Sequence, residues 1–267
     1  MTNWEFFASA WNWKPSVLIG CGALLVAYAV VVRLRFTRRS LPFIAGLFLL
    51  LLALVSPLDE LADSYLFSAH MAKHMLLVLV IPALLLIGMP AHFMQRALSR
   101  PAIRKAESIL GAPVLAWIIG IAAMAVWHIP ALFNAALASE PLHIVEHLSL
   151  LIAGTIFWWP LLAPLAEERV APVPAGVGYL FSACLACTVI GILLTFASPG
   201  TYSIPANVDA RVLSLVRNGW GISPETDQQA SGLLMWVPGC FIYLTAIVAM
   251  FARWYNAPDL AIAGEIA

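Results

Sequence analysis

The feature that most constrains this chain is a series of seven apolar segments. A bilayer core about 30 Å thick needs roughly 20 apolar residues in a helix, and fewer where flanking groups reach the interface. We therefore predict an all-α fold, an integral membrane bundle of seven transmembrane helices that forms a single domain over residues 1–267. The segments run from Ser16 to Val32, Leu41 to Val55, Ser64 to Gly88, Leu110 to Trp127, Leu142 to Leu162, Ala175 to Ala197 and Gly232 to Phe251.

Composition excludes other classes of protein. Hydrophobic residues make up 62% of the 267 residues and charged residues only 10%, whereas roughly a quarter of the residues in a soluble domain are charged. The formal net charge is zero, so we expect no nucleic acid among the partners. The apolar composition predicts that the main partner is a lipid bilayer. All four cysteines lie in apolar segments, where we expect packing and no structural disulfide: they are Cys21, Cys184, Cys187 and Cys240.

Basic residues predict the orientation of the bundle, because lysine and arginine are enriched in cytoplasmic connections. Ten of them follow the first, third, fifth or seventh segment, and only Lys14, Arg211 and Arg217 lie in connections on the opposite face. We predict an extracytoplasmic N-terminus, a cytoplasmic C-terminus and an extracytoplasmic loop over 198–231. The ten are Arg33, Arg35, Arg38, Arg39, Arg96, Arg100, Arg104, Lys105, Arg169 and Arg253.

Carboxylates outnumber basic residues on the outer face. A negative potential there would draw cations, although translocated loops that merely lack lysine and arginine give the same pattern. The acidic residues are Glu5, Asp59, Glu60, Asp63, Glu140, Asp209, Glu225 and Asp227.

Five of the six histidines fall at a similar depth beneath the predicted outer face. Two pairs have i, i+4 spacing, which places both imidazoles of a pair on one helix face. Burying ionisable side chains in lipid is costly, so we expect ionisable residues at this depth to have a function. The five are His70 and His74 in the third segment, His128 at the end of the fourth, and His143 and His147 in the fifth.

Further donor atoms lie at the same depth. Imidazole suits copper, zinc, iron and nickel, whereas thioether sulfur favours soft ions, above all Cu(I). The mixture of histidine and methionine therefore predicts a copper site, with zinc as the alternative, although the methionines could equally fill the core. The additional candidate ligands are Glu146, Asp227, Met71, Met75 and Met235.

Lys73 lies between the two histidines of the third segment and needs a counter-charge. Glu146 and Asp227 have a suitable depth, so we predict an ion pair with one of them. Cys184 and Cys187 lie on one face of the sixth segment, where packing is the favoured role.

Several short blocks of sequence together form a distinctive pattern. The blocks are Ser56-Pro57-Leu58 with Tyr65-Leu66-Phe67, His70-Met71 with His74-Met75-Leu76-Leu77, Trp127-His128-Ile129-Pro130, Leu142-His143 with Glu146-His147, Phe157-Trp158-Trp159-Pro160, and Asp227-Gln228-Gln229 with Gly232, Met235 and Trp236. This pattern resembles a known family, the polytopic CtaG-type assembly factors of caa3-type cytochrome c oxidase. The similarity runs from about residue 40 to about residue 250.

The resemblance implies a multi-pass protein of the bacterial cytoplasmic (inner) membrane that matures a haem–copper oxidase by handling copper. Its partners would be the oxidase subunits and an extracytoplasmic copper donor, and a homo-oligomer stays open. The matched positions His70, His74, His128, His143 and His147 would be the ligands. The implied protein is a metallochaperone and not an enzyme.

Two other functions use the same residues. An intramembrane zinc hydrolase would use Glu146 or Asp227 as the general base on metal-bound water, but the chain has no His-Glu-x-x-His motif and the methionines would have no role. A haem-binding membrane protein would use one histidine from each of two helices.

Overall fold

A computed structural model describes residues 1–165, 173–198, 200–202 and 208–255. Over these ranges the chain is helical, with no strand. Two predicted features lie outside the described residues: Arg169 of the basic face, and parts of the loop 198–231. The helices are α1 Asn3–Ser9, α2 Pro15–Val31, α3 Leu41–Val55, α4 Pro57–Ser64, α5 Phe67–Met75, α6 Ile81–Gly88, α7 Ala91–Leu98, α8 Pro101–Leu110, α9 Pro113–Trp127, α10 Pro130–Ala138, α11 Glu140–Leu162, α12 Val173–Thr195, α13 Ala210–Ser214 and α14 Pro224–Tyr255.

Five helices in the described part of the chain are long and apolar enough to cross a membrane. They are Arg38–Val55, Phe67–Gly88, Glu140–Leu162, Val173–Thr195 and Pro224–Tyr255. The succession of apolar helices is typical of a multi-pass membrane protein.

The two other predicted spans have less regular structures. α2 is apolar but only 17 residues long, and α8 and α9 form one span only if a bend of 72° between them is counted within it. The bend follows Gly111, and Pro113 then starts a new helix, since proline at the first helical turn lacks only an N–H that has no helical partner. The structure thus establishes an all-helical fold with five candidate spans, or six with the bent pair.

The helix that carries the first histidine pair contains a π-helical turn. α5 ends at Met75, residues Leu76–Val80 form the π turn, and α6 follows directly from Ile81. Single π turns within α-helices occur frequently at functional sites. Here the turn begins two residues after His74. Because a π turn has more residues per turn than an α-helix, it rotates the side chains of α6 relative to those of α5.

Glycine allows close helix packing at several crossings. At the α12–α14 crossing, a Cβ atom on Gly191 would lie 2.8 Å from the carbonyl oxygen of Gly232. At the α11 crossing with the π turn, a Cβ atom on Gly154 would come within 2.9 Å of the Pro82 ring and closer still to the backbone of Val78. Small residues let helix backbones approach closely in membrane proteins.

Short helices cover the end of the bundle that carries the histidines. α4 folds back beside α5, and α10 connects the ends of α9 and α11. α14 begins at Pro224, well before the apolar segment that starts at Gly232, so its first turns occupy part of the predicted loop. Hydropathy did not reveal this start because those turns are polar.

Candidate metal centre

The N-terminus of α5 is fixed by a carboxylate from α14. Asp227 accepts hydrogen bonds from the backbone N–H groups of Phe67 and Ser68, at 2.8 and 3.0 Å, and from the Ser68 hydroxyl at 2.5 Å. These N–H groups have no partner within their own helix, so the carboxylate acts as an N-cap. The cap sets the start of α5 and therefore the direction of His70 and His74.

Four imidazoles from α5 and α11 converge. The ring centroids of His70 and His74 are 4.3 Å apart, and those of His143 and His147 are 4.2 Å apart. Across the two helices, the His70 ring stacks on His143 at 5.6 Å, and the His74 ring lies 5.9 Å from His147. The i, i+4 pairs predicted from the sequence thus face each other.

Glu146 lies among these rings and is fully buried. One of its oxygens is 3.4 Å from His74 Nε2 and 3.9 Å from His70 Nε2, and the other is 3.8 Å from His143 Nε2. One ligand atom from each of His70, His74, Glu146 and His147 lies within 4.8 Å of the others. A tetrahedral ion with bonds of about 2.1 Å needs donors about 3.4 Å apart, which is the distance from His74 Nε2 to the Glu146 oxygen, while His70 Nε2 lies 3.9 Å from that oxygen.

The converging atoms have no hydrogen-bond partner. These are both carboxylate oxygens of Glu146, both ring nitrogens of His74, and Nε2 of His70, His143 and His147. Unsatisfied buried polar atoms are costly and rare in native proteins, and a bound ion is one of their recognised explanations. His70 illustrates the donor chemistry, because its Nδ1–H donates to the Ala62 carbonyl at 3.2 Å and leaves the Nε2 lone pair directed at the cluster.

His128 joins the cluster from the end of α9, where its ring centroid is 5.5 Å from that of His74. Its Nδ1–H donates to the Met124 carbonyl at 2.5 Å, so Nε2 carries a lone pair. That nitrogen lies 3.0 Å from the Met71 sulfur. Two lone-pair donors, one of them soft, therefore face each other in a buried position.

The other predicted sulfur ligands lie elsewhere. Met75 extends into the apolar core, where its methyl group and the Cys187 sulfur both approach Gly239 of α14. Met235 is fully buried in the same core. Its carbonyl accepts a hydrogen bond from the Cys187 thiol at 3.3 Å, and the Cys184 sulfur lies 2.6 Å from that of Cys240. Within the described part of the chain, Met71 is the one of these three methionines that contacts a histidine of the cluster.

The predicted counter-ion of Lys73 is wrong. The buried ammonium group binds Asp63 and lies 3.1 Å from Asp59, not beside Glu146 or Asp227. Lys14 completes the network at 2.7 Å from Asp59. The prediction failed because hydropathy treats residues 57–64 as a connection, whereas they form α4, which presents both aspartates to α5.

Asp63 is a candidate ligand that the sequence analysis missed. Its Oδ1 lies 3.5 Å from His143 Nε2, and Asp63, His70 and His143 form a second group whose donor atoms lie within 4.8 Å of one another. The available signal was the i, i+4 spacing of Asp59 and Asp63. Burial, and after it the neighbouring carboxylates of Asp63 and Asp59, raise the pKa of Glu60 on the same helix.

Comparison with known proteins identifies the family. Residues 23–257 match the family model of the cytochrome c oxidase caa3 assembly factor. The chain belongs to this family. The resemblance noted from the sequence blocks is thereby confirmed.

Relatives of this family member include three mycobacterial proteins described as uncharacterized. The protein from Mycobacterium leprae is 26% identical over 266 residues, covering 91% of this chain and 39% of the relative. Proteins from Mycobacterium bovis and Mycobacterium tuberculosis are each 26% identical over 206 residues, covering 72% of this chain and 30% of the relative. The chain therefore spans well under half the length of these relatives. No solved structure matches it.

Asp227, a predicted ligand, has a capping role in this family member that a substitution can test. We expect Asp227→Ala to lower the free energy of unfolding by about 1–2 kcal/mol, because the first N–H groups of α5 lose their acceptor. The amount of metal bound at saturation should stay at the wild-type level. Chemical unfolding in detergent and metal analysis of the same preparation measure both quantities. Loss of metal without loss of stability would instead identify Asp227 as a ligand.

Proposed function

We propose that this chain binds a copper ion, Cu(I), near the extracytoplasmic surface and delivers it to the metal centres of caa3-type cytochrome c oxidase. One observation carries the proposal. Histidine nitrogens from α5 and α11, together with the Glu146 carboxylate, converge without hydrogen-bond partners on one buried point. Family membership supplies the oxidase as the recipient.

The donor set favours copper. Three imidazoles and a carboxylate also suit zinc, but the His128 ring beside them, 5.5 Å from the His74 ring, lies against the Met71 sulfur, and a thioether is a ligand that zinc does not prefer. A zinc hydrolase needs three protein ligands and an open position for water. Here Glu146 is grouped with three histidines as a fourth donor, so a binding role is favoured over hydrolysis.

Delivery requires the cluster to face the side from which copper arrives. Lys14, Asp59, Asp63 and His143 lie together at one end of the bundle. With the positive-inside distribution, this end would be extracytoplasmic in a seven-span protein whose C-terminus is cytoplasmic. In the bacterial cytoplasmic membrane, that side is where an external copper donor and the oxidase subunits would meet this chain.

Metal analysis of the purified protein tests the proposal. We expect about one copper ion per chain after expression with copper, together with a lower copper content of the oxidase in cells that lack the chain. Zinc in place of copper would support the hydrolase alternative, and a Soret band would support haem binding. A protein that binds no metal, or an oxidase with unchanged copper in the deleted cells, would contradict the proposal.

A further inference from the structure

The histidine cluster contains two overlapping groups of donors. We infer that Asp63, His143 and His70 form an outer metal position through which the copper ion reaches the inner donors His74, His147 and Glu146. The inference rests on the proposed function, since it concerns how the same cargo enters the same cluster.

The outer group of donors is more exposed than the inner one. The side chains of His74 and Glu146 are 0% exposed and that of His70 is 1% exposed, so an ion cannot reach them directly from solvent. By contrast, the side chains of His143 and Asp63 are 14% and 21% exposed. The outer group therefore has two partly exposed members and the inner group has one, His147, so access from outside is greater at the outer group.

His70 links the two positions. It belongs to both groups of donors, and its unpartnered Nε2 lies 3.9 Å from a Glu146 oxygen. His143 Nε2 also lies 3.8 Å from a Glu146 oxygen, so the next donor is adjacent to the outer group. An ion bound to His70 can exchange Asp63 and His143 for other donors without losing all its ligands.

The transfer is a ligand exchange with no change in oxidation state. The bonds from the ion to the Asp63 oxygen and the His143 nitrogen break, while bonds to the Glu146 oxygen and to the nitrogens of His74 and His147 form. The bond to His70 persists throughout. Each position has one carboxylate oxygen, but the inner one has three nitrogen donors and the outer one has two. Because Cu(I) prefers the softer nitrogen donors, it binds more tightly at the inner position.

Lys73 makes the outer position weak, which a transient site requires. Before an ion arrives, the ammonium group of Lys73 binds Asp63 and also lies 3.1 Å from Asp59. An incoming cation must displace Lys73 from Asp63, and Lys73 keeps Asp59 as its partner. When the ion moves inward, Lys73 can bind Asp63 again. The ammonium group thereby competes with the ion at the outer position and favours its release to the inner one.

Loading of the purified full-length chain with Cu(I) tests this order. In stopped-flow mixing with Cu(I) held by a chromophoric chelator, we expect Asp63→Asn to slow loading at least about tenfold, with the same copper content at equilibrium as the wild type. The carbonyl oxygen of the introduced amide can still accept a hydrogen bond from Lys73, so the fold should survive, and a thermal unfolding curve checks this. Asp63→Glu should restore the rate.

The matched control is Glu60→Gln. Glu60 also lies on α4 but in neither donor group, so this variant removes an acidic group without removing a ligand. It should load at nearly the wild-type rate. Equal slowing by both variants would reduce Asp63 to an electrostatic role and overturn the inference. Unchanged loading in Asp63→Asn would overturn it too, as would a loss of equilibrium copper, since Asp63 would then belong to the final site. A wild-type chain that binds no copper would instead be a failure of the proposed function.

Discussion

Purified His74→Ala protein is expected to bind copper at least about 100-fold more weakly than the wild type. Removing a second-shell partner of a metal ligand already costs 10–100-fold in affinity, and His74 lies directly among the donors. Its ring is fully buried, has no hydrogen-bond partner at either nitrogen and lies 3.4 Å from Glu146. Competition with a Cu(I) chelator of known affinity measures the change.

A matched control distinguishes the cluster from histidine in general. His92 is exposed, away from the cluster, and its Nε2 contacts the Val31 carbonyl at the opposite end of α2 from Lys14. His92→Ala should therefore leave copper affinity unchanged. Truncating the buried ring leaves a cavity, so a chemical unfolding curve first checks that the His74→Ala protein is folded under the conditions of the copper measurement. Wild-type affinity in His74→Ala, or equal losses in both variants, would refute the cluster as the copper site.

The sequence predicted the centre of this site because the centre depends on helix periodicity. An i, i+4 pair of histidines must lie on one helix face. Two such pairs at the same depth in a membrane are expected to face each other, because a polar imidazole is costly to expose to lipid. The structure brings both pairs together and adds His128 beside Met71. Whether these residues bind copper stays a prediction.

The edge of the site was missed because it depends on a helix outside the apolar segments, where the spacing of Asp59 and Asp63 was the available signal. α4 is short and polar, and nothing in its hydropathy shows that it folds back against α5. Without that fold, Asp59 and Asp63 read as loop carboxylates and Lys73 lacks its partners. Asp227 illustrates the same limit, since depth alone does not distinguish a ligand from a helix cap.

The fold shows a similar division. Apolar length located the long helices but gave neither the π turn at Leu76–Val80 nor the bend between α8 and α9. Both are breaks within apolar sequence, where hydropathy stays constant and backbone hydrogen bonding changes. The predicted number of seven spans depends on α2 and on that bent pair.

Gly154→Ala is expected to lower both stability and copper affinity. A Cβ atom at this position would overlap the backbone of Val78 and approach the Pro82 ring to 2.9 Å, and a backbone cannot move aside as a flexible side chain can. Overpacking costs about 1–3 kcal/mol, while replacing glycine by alanine in a helix returns at most about 1 kcal/mol. We expect a net loss of about 2 kcal/mol in the free energy of unfolding.

Copper affinity should fall because the same crossing sets the separation of the two histidine pairs. Gly154 lies about two turns beyond His147 on α11, and Val78 lies about one turn beyond His74. Moving α11 away from the π turn therefore moves His147 away from His74.

Gly178→Ala is the control, because no atom lies within 4 Å of a Cβ there. This variant should unfold with wild-type or slightly higher stability and bind copper normally. Chemical unfolding in detergent and chelator competition measure both effects; a Gly154→Ala protein with wild-type stability would show that α11 does not pack this closely on the π turn.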